Sequence, residues 1–155
     1  MLVICGRKYG LITSCTRLVH FGPLSGDLQE KQAALAKIDT QVITATRPGK
    51  TLDDMFRVIQ NAYAAAGHPE EYRLHHQGGP AAYEAREFIC KPGLPVAVQN
   101  GQVYAWNPSI TGCKVEDTVL IGESGAEVLT EMPGWPAIEV EAAGQVFRRP
   151  AVLEM

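Results

Sequence analysis

Two amphipathic stretches sit next to each other, and almost everything after them is patterned as strand. Ser25-Gly26-Asp27 opens the first, with Leu28, Leu35, Ile38, Val42 and Ala45 spaced three, four or seven apart on one helical face. Arg47-Pro48-Gly49 closes it. Thr51, followed three residues later by Asp54, has the form of a capping box for a second helix. Leu52, Met55, Phe56, Ile59 and Tyr63 give that helix its apolar stripe, and Gly67 is its stop. Each stripe needs a surface to cover, and the remaining strands supply one.

Those strands come in antiparallel-looking runs. Leu2 to Cys5 and Leu11 to Val19 flank the turn Lys8-Tyr9-Gly10 as an opening hairpin. Val96–Val98 and Gln102–Trp106 flank Asn100-Gly101, a dipeptide suited to a tight hairpin. Val115–Ile121 turns through Glu123-Ser124-Gly125 into Val128-Leu129. Ala137–Glu141 pairs with Val146–Arg149 around Gly144 as a C-terminal hairpin, expected to pack on the main sheet. Helices segregated from antiparallel strands give an α+β class. Tyr104 and Trp106 sit in a strand with period-two alternation, so at least one of them is expected in the core, Trp135 reads as a surface brace, and Arg148-Arg149-Pro150 as a solvated edge strand.

Composition removes several classes of function. The chain has 155 residues, a length that suits one domain, and 46% of them are hydrophobic, which excludes disorder. Fourteen Lys+Arg against 17 Asp+Glu leave a net charge of −3 and no basic footprint for nucleic acid. No apolar run reaches the roughly 20 residues that span a bilayer, so no membrane association is expected. Met1–Cys5 is broken at once by Gly6-Arg7-Lys8, so a secretory signal is not expected either. Cys5, Cys15, Cys90 and Cys113 form no C-x-x-C pair, and they read as reduced, mostly buried thiols of a cytoplasmic protein.

Chemistry concentrates in a few places. His75-His76-Gln77-Gly78-Gly79 is polar and glycine-rich for a strand region, which allows close backbone approach. Arg86-Glu87, Asn107 and Glu116-Asp117 follow. Paired histidines with carboxylates suit acid–base or metal work. The same histidines also read as a hydrogen-bonded structural element.

The order of these pieces resembles a known family. The run His75–Glu87, then Tyr104–Pro108, then Val115–Thr130 is similar to the second half of the pita-bread domain of methionine aminopeptidase, prolidase, Xaa-Pro aminopeptidase and creatinase, with Glu116–Thr130 the most specific piece. The segment Gly10–Arg17 resembles the metal-bearing hairpin of that family, and the likeness runs from about residue 2 to 131. It implies a curved antiparallel sheet with helices on one face. The expected divisions are a first-half hairpin over 1–22, a second half over 25–131 and a C-terminal hairpin over 132–155.

The resemblance also implies where two divalent metal ions would bind. The family's peptidases hold them with two aspartates, a histidine and two glutamates. Here the aspartate positions fall near Val3 and on Ser14, the histidine on Gly79, and one glutamate on Asn107. Only the last glutamate is kept, as Glu116. The histidine that assists catalysis falls on Arg86, before Glu87, while a pocket histidine is kept as His75. Two adjacent divalent ions need several carboxylates, so no bound metal cofactor is expected. Three readings stay open. The first is a pseudo-peptidase whose remnant cleft, lined by Ser14, His75, His76, Arg86, Asn107 and Glu116, binds a peptide or small molecule, with Arg86 pairing to Glu116 or to a ligand. The second is a metal-independent, creatinase-like hydrolase using His75 or His76 as base, with Glu116 or Glu87 orienting the substrate. The third is a structural or dimerising domain. Because the helices of a first half are missing ahead of the hairpin, a fragment of a longer protein is expected, with an apolar sheet face covered by that missing part or by a second copy.

Overall fold

The computed structural model describes the backbone of residues 2–3 and all of residues 6–155. Strand β1 (Leu2–Val3) lies antiparallel to β4 (Arg17–His20), while β2 (Gly6–Lys8) and β3 (Leu11–Thr13) form a hairpin. The turn between them uses left-handed backbone at Tyr9 and Gly10, with φ of 53° and 87°. The opening hairpin is therefore split into two pairings, and the expectation for Ile4 and Cys5 lies outside the described residues. The return strand breaks at Ser14–Thr16 because these residues bond elsewhere. The Ser14 N–H donates to the Thr118 hydroxyl (2.9 Å), and the Thr16 N–H donates to the Glu116 carbonyl (2.9 Å).

Helix α1 spans Gly26–Ala45, with the Ser25 hydroxyl accepting from the Leu28 N–H as N-cap. It buries Asp39, Thr40 and Ile43 as well as Leu35, Ile38 and Val42, so it is covered on more than its apolar stripe. Helix α2 spans Leu52–Ala65 and starts with the Thr51–Asp54 capping box anticipated from spacing. A single 3₁₀ turn, Glu71–Arg73, follows.

The main sheet has the order β10–β9–β6–β5, all antiparallel. Its strands are β5 (Gly78–Ala81), β6 (Val103–Trp106), β9 (Asp117–Gly122) and β10 (Gly125–Val128). Between β6 and β9, β7 (Ser109–Ile110) and β8 (Cys113–Lys114) make a small hairpin. Alternation sends Tyr104, Trp106, Val119 and Ile121 to the helix side, where they join Leu35, Ile38, Leu52, Met55 and Ile59 in one core. Both aromatic rings of β6 are fully buried and stack at 5.6 Å.

One pairing differs from the sequence expectation. Residues 96–98 do not pair with β6, because β5 and β9 already occupy both of its edges. Instead the Val98 N–H donates to Lys50 O (2.8 Å), and the Leu52 N–H to Val96 O (2.9 Å), tying this segment to the start of α2. Gly101 still makes the turn, at φ 80°.

The C-terminal hairpin joins β11 (Ala137–Ala142) to β12 (Gln145–Pro150), and β13 (Leu153–Glu154) runs parallel to β4. The hairpin packs across α1 rather than on the main sheet, and Trp135 braces its base by donating from Nε1 to Ala151 O (2.8 Å). Arg149, expected in a solvated edge, is 2% exposed. Its guanidinium bridges Asp39 of α1 (Nε to Oδ2, 2.6 Å) and Asp117 of β9. Arg17 completes the group by donating to Asp117 Oδ1 (2.7 Å). Two cations facing two carboxylates make this cluster neutral, which is what permits its burial. Burial pushes the Asp39 carboxyl up to about 6, against the pull of Arg149.

Removing Asp117 leaves the buried Arg17 without a carboxylate and leaves Asp39 alone to balance Arg149. Asp117→Ala should lower unfolding stability by about 3–5 kcal/mol, read as a shifted urea midpoint. Lys31→Ala, which breaks only an exposed i,i+4 pair with Asp27, should leave the midpoint where it is.

Candidate functional site

Glu116 sits immediately before β9, held in the sheet through the bond from Thr16 N–H to its carbonyl. Its side chain turns away from Asp117 and collects donors. Oε1 accepts from Arg86 Nη2 (2.8 Å), and Oε2 accepts from the Thr16 hydroxyl (2.8 Å) and from Lys114 Nζ (3.1 Å). The side chains of Glu116, Arg86 and Lys114 are 5%, 7% and 18% exposed. Burial works to raise the Glu116 carboxyl, but Lys114, Thr16 and Arg86 together hold it below the ordinary value of 4.5.

Each partner is delivered by a different element. Lys114 ends β8, two residues before Glu116. Arg86 is carried by the loop after β5, which folds back along that strand through Glu87 N–H to Pro80 O and Cys90 N–H to Gly78 O (2.8 Å each). Arg86 Nη1 also donates to the Ser14 hydroxyl (3.3 Å), and so joins the hairpin segment to the loop. Ser14 is buried, its backbone clasped on both sides by the Thr118 hydroxyl.

The glycines of β5 make this fold-back possible. Gly78 and Gly79 have φ of 110° and 155°. A Cβ at Gly78 would lie 2.1 Å from Ala105 O, and one at Gly79 would lie 2.1 Å from Phe88 O. The space in front of Gly79 is thus filled by the main chain of the Arg86 loop.

His75 and His76 stack with ring centroids 4.5 Å apart. His75 Nδ1 lies 2.6 Å from the His76 carbonyl, which can only accept, so Nδ1 carries a hydrogen. The buried Asn107 amide approaches the same nitrogen at 3.4 Å, and its Oδ1 has no other partner. His76 is held below 6.5, first by burial and then by His75, Arg86 and Lys114. The guanidinium and the ammonium therefore reach the imidazole electrostatically.

The structure brings together Ser14, Arg86 and Glu116 directly, and joins His75 to His76 and to Asn107. Arg86 pairs with Glu116, one of the two partners expected for it. Glu87 stands apart, exposed, with its carboxylate accepting from the N–H groups of Tyr83 and Glu84. Two participants were missed. Lys114 shares the strand-face spacing i,i+2 with Glu116, a signal present in the sequence. Thr16 has no local signal, since its partner lies 100 residues away.

The profile of metallopeptidase family M24 matches residues 1–123. The chain belongs to this family. An uncharacterized peptidase of Staphylococcus saprophyticus is 31% identical over 123 residues, covering 74% of the chain. Among solved structures, the X-Pro aminopeptidase of Thermotoga maritima superposes with a TM-score of 0.76 at 16% identity, over 97% of this chain and 40% of that one. The prolidase of Pyrococcus furiosus gives 0.72 at 19% identity, over 83% and 40%. These likenesses fix the pita-bread fold, α+β with antiparallel sheet and helices. This M24 chain spans 34% of the length of the curated relatives it matches. Among the described residues no helix is long and apolar enough to cross a membrane.

Protonation of His76 reports on this cluster. With a folded-state value below 6.5, its neutral form is favoured by folding. That contribution is present above pH 6.5 and is lost as pH falls through the lowered value. An NMR titration should place the His76 midpoint below 6.5, and Lys114→Met should move it upward. An unchanged midpoint in the variant would remove the electrostatic link.

Proposed function

We propose that this M24 chain is a metal-free member of its family whose cleft binds a peptide or small molecule instead of hydrolysing one at a dinuclear centre. The observation that carries this reading is the environment of Glu116, the single family carboxylate retained. Both of its oxygens accept from protein donors, two of them cationic. Two divalent ions would have to displace these cations, and would find no second carboxylate in the group to balance them.

The other family positions support the same reading. Ser14 offers a neutral hydroxyl already bonded to Arg86, and Asn107 a neutral amide turned toward His75. Gly79 has no side chain, and the Phe88 carbonyl fills the space where one would begin. Among the described residues no three His, Cys, Asp or Glu side chains are grouped as a metal site. The donor set does not fit a pair of hard cations, and no step of chemistry is assigned to them.

Metal analysis of the purified chain, after dialysis against manganese, cobalt or zinc, should return well under one equivalent. Added metal should leave the melting temperature unchanged. Two tightly held ions per chain, with a raised melting temperature, would sink the proposal.

A further inference from the structure

The main sheet has a second face. The alternation that sends Tyr104 and Trp106 to the helices turns Val103 the other way, and register places Ala81 and Thr118 on that same face. Beside it the Ile12 N–H donates to Ala82 O (2.8 Å) and holds β3 against the end of β5, while the Arg86 loop folds back along β5. These parts enclose a cavity of about 530 Å³ whose walls include Leu11, Pro80, Phe88, Val96, Val103 and Leu129. Leu11, Phe88 and Leu129 remain 50%, 51% and 46% exposed, so the described chain leaves much of this apolar surface to water.

One charge stands on the lining. Glu87 is its sole ionisable residue, and the other polar side chains there, Thr13, Gln102 and Thr118, are uncharged. Oε1 of Glu87 accepts from the Tyr83 and Glu84 N–H groups (3.2 and 3.3 Å), and Oε2 is left open. Among the described residues no cation forms an ion pair with this carboxylate. The adjacent Arg86 is engaged with Glu116, and Arg7 reaches the Tyr83 carbonyl instead (3.4 Å). Glu84, in the same turn, adds a second negative charge nearby.

We propose that this cavity binds a small primary amine with an apolar body, its ammonium on Glu87 and its body against Leu11, Phe88, Val103 and Leu129. An apolar surround with a single charged group to fix orientation is the usual make-up of a small-molecule site. A carboxylate ligand would meet Glu87 as a like charge, and an uncharged one would leave Oε2 without a partner. A cation with no apolar body would leave the walls as wet as before. The proposal goes beyond the metal-free reading and does not rest on it. Ser14, Gly79, Asn107 and Glu116 do not line this cavity, and failure here would leave that reading where it stands.

The test is a titration of the 155-residue chain with hexylamine at neutral pH, where the amine is protonated, at constant ionic strength. The methyl NMR signals of Leu11, Val103 and Leu129 report binding. A saturable one-site response in the millimolar range is expected for a ligand of this size. Glu87→Gln keeps an Oε1 acceptor for the Tyr83 and Glu84 N–H groups but removes the charge, and should weaken binding about tenfold. Hexanoate and methylammonium should not bind. A non-saturating response would overturn the proposal. So would equal binding by Glu87→Gln, by hexanoate or by methylammonium. Methyl shifts that follow protein concentration instead of amine would overturn it too, and would give this face to a second copy of the chain. If Glu87→Gln does not fold, the hexanoate and methylammonium arms decide alone.

Discussion

The molecule turns on two consecutive carboxylates at the start of β9. Strand alternation aims Glu116 and Asp117 at opposite faces of the sheet. Asp117 goes inward and ties Arg17 of the hairpin, Arg149 of the C-terminal strand and, through Arg149, Asp39 of α1. Glu116 goes outward and gathers Thr16, Arg86 and Lys114. The same backbone step therefore anchors the periphery of the fold on one side and organises the cleft on the other. Neither carboxylate is free to wander, because each is bonded to groups from distant parts of the chain.

The two clusters obey different electrostatics. The inner one is neutral by count, two guanidinium groups against two carboxylates, and it tolerates burial at a cost visible in the raised Asp39 carboxyl. The outer one carries more cation than anion and lies partly open. In this chain a guanidinium and an ammonium group are both in contact with Glu116. Such cations need no coordination geometry and no second carboxylate.

Much of the fold was legible because its signals are local. The caps at Ser25 and Thr51, the stripe of α2 and the turns at Gly101 and Gly144 depend on neighbours within a few residues. The candidate site was legible in part through order along the chain, which drew attention to Ser14, His75, Arg86, Asn107 and Glu116. What stayed hidden depends on contacts that spacing does not encode. Residues 96–98 look like a hairpin arm, but which strand edge is free is settled by β5 and β9. Arg149 looks solvated until Asp39, 110 residues earlier, is placed beneath it. Glu87 looks like a site carboxylate, yet its loop uses it to cap a turn.

The glycine pair of β5 bears on how such a site can change over evolutionary time. At Gly79 the obstacle to a side chain is a peptide carbonyl, not a neighbouring side chain that another substitution would trim. That carbonyl belongs to the same loop that carries Arg86 to Glu116. A side chain could be introduced at Gly79 only if the path of that loop were rebuilt at the same time. The geometry works as a ratchet: change at this strand is tied to the loop that holds Arg86 against Glu116, and neither can move alone.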